Sequence, residues 1–265
     1  MTDTGFSASE IDTGTPHSAR MYDWFLDGKD HYPADAEAAR KIVELLPDVK
    51  DTAWSNREFM HRAARFLAHQ GVRQFLDIGT GIPTEPNLHQ IVQGITPDAR
   101  VIYVDNDPIV LRHAEALLDS TPEGRTAYLH ADVREPERIL ARAREHLDFE
   151  RPIGLSLIAL LPFVADGHDP YEIVATLTEP LAAGSHLVIS HVTGEFQPEI
   201  WDRVDAIYRA GGTPVEARSR AEVTRFFDGF ELCEPGVELA TRWRPDPDAP
   251  ARRDQPLYVG VGRKP

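Results

Sequence analysis

Lysine is nearly absent: Lys29, Lys41, Lys50 and Lys264 stand against 24 arginines, and no run of three basic residues occurs in the 265-residue chain. With 28 basic against 43 acidic side chains the formal charge is −15 at pH 7. A phosphate backbone repels such a surface, which argues against a general nucleic-acid binder. Cysteine occurs once, at Cys233, so neither an internal disulfide nor a cysteine-based zinc cage is available. The eleven histidines show no paired ligand spacing, and no metal site is expected. Long apolar runs are missing too. The longest, Leu155 to Ala165, has eleven residues and contains Pro162, whereas a membrane span needs about 20. The first nineteen residues carry no basic residue and no apolar core, so no signal peptide is expected and a cytoplasmic location is. At this length a compact chain buries enough surface to need no staples.

Several patterns are present. Residues 1–17, rich in Thr, Ser, Gly and Asp, read as a flexible tail. Ala39, Ile42, Val43 and Leu46 then repeat with helical spacing, ending near Pro47. Ser55-Asn56-Arg57-Glu58 has the form of a capping box opening a second helix, which Gly71 stops. From Gln74 onward short apolar strands alternate with amphipathic stretches. Strands are expected at 74–78, 100–105, 126–130, 153–161 and 186–191, with helices at 87–93, 108–118, 136–147, 171–181 and 198–210. That alternation implies a parallel sheet covered on both faces. Strands at 230–234, 237–243 and 257–262 have little helix between them and suggest an antiparallel hairpin at the sheet edge.

In such sheets ligands bind at the carboxyl ends of the strands. The first strand runs into Asp77-Ile78-Gly79-Thr80-Gly81-Ile82-Pro83-Thr84. Two glycines permit a tight turn close to a ligand. A dinucleotide fingerprint would place a third glycine where Thr84 stands and would not place Asp77 near a pyrophosphate. S-adenosylmethionine has no phosphate and carries two positive groups, which Asp77 suits. Asp105 ends the second strand, where an acid can take both ribose hydroxyls; Asn106 follows it, and Asp107-Pro108 suits a helix entry. Asp132 and Val133 follow the third strand, beside the expected adenine, although Asp132 is also a good turn residue. Three carboxylates at successive strand ends form the pattern of a class I methyltransferase.

The chain also resembles a bacterial S-adenosyl methyltransferase family once catalogued as a domain of unknown function. Residues 19–30 (ARMYDWFLDGKD), Asn56-Arg57, residues 75–84, Val104 to Pro108, Ser190-His191, Phe227-Asp228-Gly229 and Glu234-Pro235-Gly236 carry the resemblance. It implies a Rossmann-like α/β fold over residues 71–265, a mostly parallel seven-stranded sheet with an antiparallel C-terminal hairpin, and an N-terminal helical lid over 18–70. It implies no particular substrate.

A cofactor methionyl carboxylate needs a cation. Lys29, in the Gly28-Lys29 turn, and Arg57 are the candidates, and Tyr22 can stack on or hydrogen-bond that end. Lys29 could equally be a solvated turn lysine and Arg57 an exposed helix residue. His191, at the end of the fifth strand, is the candidate base, with a hydrogen-bonded structural histidine as the alternative. His31, Glu195 and Arg218 are further pocket candidates. Pro162 stands where members of the family often carry histidine. The expected activity is methyl transfer from S-adenosylmethionine to a small molecule, with S-adenosylhomocysteine as product. The alternatives are a non-catalytic cofactor sensor and an NAD-dependent oxidoreductase.

Overall fold

A computed structural model describes residues 12–110, 120–247 and 252–265 of the chain. Three helices come first: α1 (Ser18–Phe25), α2 (Pro33–Leu45) and α3 (Val49–His69). The sheet and its covering helices follow as β1 (Gln74–Ile78), α4 (Leu88–Gln93), β2 (Arg100–Asp105), β3 (Arg125–His130), α5 (Pro136–Ala143), β4 (Ile153–Ile158), α6 (Pro170–Thr178), β5 (His186–Val192), α7 (Pro198–Ala210), α8 (Arg220–Arg225), β6 (Glu231–Leu232), β7 (Glu238–Leu239) and β8 (Leu257–Arg263). The helix expected over 108–118 is seen at 108–110, and its remainder lies outside the described residues.

Strand order is β3-β2-β1-β4-β5-β8-β6, with β7 also paired to β8. The four pairings among the five strands β1 to β5 are parallel, as expected of strand–helix alternation. The three C-terminal strands pair antiparallel, and the sheet has eight strands rather than seven. No tight hairpin forms among them: β8 inserts between β5 and β6, and the two-residue strands β6 and β7 pair with it at different points. The chain leaves β1 toward β2 and β3, then returns through β4 to the other side, so the switch point lies between β1 and β4.

Both sheet faces are apolar, but they pack against different helices. Leu76, Ile78, Ile102 and Val104 join α5, α6 and α8 in one core. Phe75, Val101 and Tyr103 join α3 and α4 in the other. Because successive strand residues alternate faces, Asp77 and Asp105 share the side of α3. A third cluster is built by Met21, Phe25, Ala39 and Ile42 from α1 and α2 with Val204 of α7 and Val215.

Two expectations about the N-terminal region are corrected. Ser55 does not cap a helix: α3 begins at Val49, so Ser55 and Glu58 are interior residues and Arg57 lies in its third turn. The Ser-x-x-Glu spacing is equally compatible with a helix interior, and the preceding Val49 to Trp54 continues the helix. Residues 12–17 are also tied down rather than loose. The Arg20 guanidinium donates to the carbonyls of Asp12 and Thr15, and the His17 N–H donates to Asp35. Residues 1–11 lie outside the described residues. No helix among the described residues is long and apolar enough to cross a membrane.

Candidate active site

The loop after β1 is pinned to the end of β2. Gly79 N–H donates to the Val104 carbonyl at 2.8 Å, and Gly81 N–H donates to the Asp105 carboxylate at 2.8 Å. Gly79 and Gly81 have φ of +74° and +67°, which only glycine adopts without strain. A Cβ at Gly79 would also lie 2.7 Å from Leu160, whereas one at Gly81 would meet nothing within 4 Å. The backbone at Gly81 is therefore open to a ligand. Beside it runs a cleft of ≈130 Å³, lined among others by Asp77, Thr80, Pro83, Asp105, Asn106 and Val133.

Two carboxylates face this cleft. Burial pushes Asp77 up to about 6, against the opposing pull of the Ser156 hydroxyl, Arg57 and Thr80. Asp105 is also raised by burial, and the Asp107 and Gly81 amides work against that rise. Each Asp105 oxygen accepts one backbone N–H and keeps a second lone pair. Arg57 reaches the cleft from α3. Its guanidinium donates to the Thr84 and Pro86 carbonyls, and burial lowers its pKa while Tyr22 and Asp77 oppose that shift.

α1 roofs the cleft with His17, Ser18, Ala19 and Tyr22. It is latched to the strand end. Arg20 sits 3.6 Å from the Asp107 carboxylate and 3.5 Å from Asp35, and His17 Nδ1, which accepts the Ala19 N–H, lies 3.2 Å from the same Asp107 carboxylate.

A second, larger chamber of ≈550 Å³ adjoins the cleft. The two share four lining residues, Tyr22, Asn56, Ala159 and Phe163. Ala159 follows β4 with φ +52°, a left-handed conformation that costs a non-glycine residue energy. Its N–H is held by the Ser190 hydroxyl at 2.8 Å. β4 therefore ends at Ile158 rather than Leu161, and the chain turns through a 3₁₀ segment, Leu161–Phe163, into the chamber wall.

Other expected site residues are not brought to the cleft. Gly28 packs against Asp23, where a Cβ would meet the carboxylate at 1.9 Å. Lys29 is exposed and lines neither cavity. Thr84 meets Arg57 through its carbonyl but is outside the lining. Partial burial pushes Asp132 up, but hydrogen bonds from Arg134 and Asn106 outweigh it and hold the carboxylate at about 2. Its neighbours Ala131 and Val133 line the cleft in its place.

His191 is corrected from base to structural residue. It is 0% exposed, with Nδ1 donating to the Val192 carbonyl at 2.8 Å and Nε2 accepting from Arg218 at 2.9 Å. Burial pulls its pKa down to about 3, and neither nitrogen is left for a substrate. Arg218 also donates to the Leu161 and Val164 carbonyls and to Asp166, stapling the segment after β4 to β5. His31 pairs with Asp23, and Glu195 accepts from the Arg220 N–H; neither lines a cavity. Pro162 lines the chamber. The residue missed by sequence reasoning is Asn56, which lies in a motif noted for its place on a helix and for the family resemblance, not as a pocket residue.

A parallel sheet with its switch point beside a glycine turn, and carboxylates at the ends of β1 and β2, defines the class I methyltransferase architecture. The chain belongs to the S-adenosyl methyltransferase family, whose profile matches residues 4–265. It is similar to a DUF574 family protein from Streptomyces avermitilis, at 48% identity and a TM-score of 0.93, covering 97% of this chain and 100% of that one. A structure from Thermobifida fusca is 38% identical with a TM-score of 0.86, covering 96% of each chain. No curated protein matches the chain.

Proposed function

We propose that this methyltransferase draws its methyl group from S-adenosylmethionine bound in the cleft and delivers it to a small molecule in the chamber, leaving S-adenosylhomocysteine. The observation that carries this reading is the junction: a carboxylate-lined cleft and a much larger apolar chamber share Tyr22, Asn56, Ala159 and Phe163.

The chemistry of the cleft residues fits such a donor. When bound, S-adenosylmethionine supplies an electrophilic methyl on a positively charged sulfur. Asp105 would take ribose hydroxyls with its remaining lone pairs, next to Asn106. Asp77 would face the cationic end and Arg57 the carboxylate, each an opposite-charge match. The open backbone at Gly81 allows close approach, and Thr80, Pro83 and Val133 fill the sides.

In-line methyl transfer requires chiefly that the two reactants be held together and water be excluded. The α1 roof and the four junction residues serve that end. Ligand pockets for drug-sized molecules run to about 300–1,000 Å³, and the cleft has ≈130 Å³. Entry of a nucleoside-sized ligand therefore requires α1 to shift, which strains the His17–Asp107 latch.

Calorimetric titration of the full chain with S-adenosylmethionine, S-adenosylhomocysteine and NAD tests the reading. Binding of the first two and not of NAD is expected. The reverse pattern would replace it with the oxidoreductase alternative. Donor binding with no turnover to S-adenosylhomocysteine across metabolite extracts would favour a sensor.

A further inference from the structure

The chamber carries chemical information about its ligand. Six charged side chains line it, and they neutralise one another: Asp48 with Arg253 at 3.1 Å, Glu238 with Arg220 at 3.7 Å, and Asp254 with Arg242. Among the described lining residues no charge is left over to recognise a charged ligand. Aromatic rings supply much of the remaining wall. Phe163 and Tyr208 lie 5.3 Å apart, and Phe196 and Tyr258 lie 6.5 Å apart. Phe196 is 56% exposed, unusual for a large apolar side chain, and it borders the chamber.

Two polar atoms of lining residues have no partner: Asn56 Oδ1 and Trp201 Nε1. Asn56 is 2% exposed, so an unpaired acceptor there carries a real desolvation cost. Its orientation is set by its neighbour. The single proton of the Tyr22 hydroxyl goes to the Ala53 carbonyl at 3.1 Å. Toward Asn56 that hydroxyl can only accept, so the Asn56 amide nitrogen faces it at 2.8 Å. Oδ1 is then turned away from Tyr22 and shielded from solvent in the free chain, on a side chain that lines both the cleft and the chamber.

We infer that the methyl acceptor is an uncharged, ring-bearing apolar molecule with an N–H nucleophile, which Asn56 Oδ1 holds at the junction. This rests on the donor reading above. An amine nitrogen donates its N–H to Oδ1 while its lone pair stays free for the reaction. That lone pair forms the N–C bond as the methyl carbon's bond to sulfur breaks, and the bonding pair returns to sulfur. The nitrogen, now positive, afterwards releases a proton to water. A hydroxyl acceptor would instead need a base during the reaction. Tyr22 is the titratable residue of the four at the junction, but burial raises its pKa and its proton is committed to Ala53.

The probe is 1-aminoanthracene, an arylamine that is neutral at pH 7.5 and fluoresces more strongly in apolar sites. It is titrated into the full chain saturated with S-adenosylhomocysteine. Saturable single-site binding is expected, and anthracene-2-carboxylate should bind at least ten-fold more weakly. Loss of one net hydrogen bond should make Asn56→Leu bind the probe about five-fold more weakly, a clearly larger loss than for S-adenosylhomocysteine. Phe196→Ala, at an exposed position that leaves folding intact, should weaken the probe about three-fold through lost ring contact. Equal or tighter binding of the carboxylate overturns the inference. So does an unchanged probe affinity in Asn56→Leu, or an equal loss for S-adenosylhomocysteine, which would give Asn56 to the donor. A wild-type chain that binds the probe but not S-adenosylhomocysteine would sink the donor reading while leaving the chamber's ligand class standing.

Discussion

The cleft and the chamber lie side by side and share four residues, yet they are built in opposite ways. The cleft is narrow and holds two buried carboxylates, and its floor comes from two neighbouring stretches, residues 77–83 and Tyr103, Asp105 and Asn106, on adjacent strands. Its hydrogen bonds are local loop-to-strand contacts, such as those of Gly79 and Gly81 with the end of β2. The chamber is about four times larger and is assembled from α1, α2, α3, the turn after β4, α7 and the segments around β7 and β8. A site that binds a common donor can be made from one motif. A site that selects an acceptor draws on the whole fold, and can therefore change without disturbing the donor site.

That contrast can be broken at either side. The largest effect is expected from Arg218→Leu, which removes a nearly fully buried cation and strands the Leu161 and Val164 carbonyls. A stability loss of about 3 kcal/mol is expected by chemical denaturation. Because Arg218 fixes the segment that supplies Pro162 and Phe163, chamber-probe binding should fall more than donor binding. Equal losses would show the two sites to be one mechanical unit.

Asp105→Ala should act the other way. S-adenosylhomocysteine affinity should fall ten-fold or more by calorimetry, as charge-assisted hydrogen bonds of about 1.5–3 kcal/mol are lost, while the probe changes less than two-fold. Unchanged donor affinity would remove Asp105 from the ribose role.

The pH dependence of donor binding sharpens the comparison further. Asp77 sits at about 6 in the free protein, and a bound cation favours its ionised form. Donor affinity should therefore be flat above about pH 7 and weaken as pH falls through 6, reaching about ten-fold weaker near pH 5. Asp77→Asn should remove that slope. The net-neutral chamber should show no such slope with 1-aminoanthracene at pH 6–8.

The smallest effect belongs to the latch. His17→Ala removes a partly exposed contact to Asp107, worth at most about 1 kcal/mol. Stopped-flow measurement should show S-adenosylhomocysteine leaving about two-fold faster, with stability nearly unchanged. No change in that rate would mean that α1 does not gate the cleft.

Much of the frame was legible from the chain alone. β1 and β2 appear at the expected residues, 74–78 and 100–105, because continuous apolar runs bounded by glycine or Asp-Asn-Asp leave little freedom. The placement of Asp77 and Asp105 beside the glycine turn followed from the same runs. Ser55 misled because a capping pattern has no directionality of its own once the preceding residues also favour helix. His191 misled because strand-end position says where a residue lies along the sheet, not whether neighbours seal it. Arg218, which seals it, is 27 residues away. Asn56 was legible as a motif but not as a lone acceptor, since its missing partner depends on Tyr22, 34 residues earlier.

The sequence by itself determined the order of strands and helices, the glycine turn, and the acids at the ends of β1 and β2, because each depends on periodicity and backbone freedom within a few residues. Only the tertiary structure decided which face those acids share, which cations reach them, and that a net-neutral, aromatic-rich chamber opens beside them. Those outcomes depend on which distant side chains α1, α3 and α7 bring together, and no local pattern encodes that meeting.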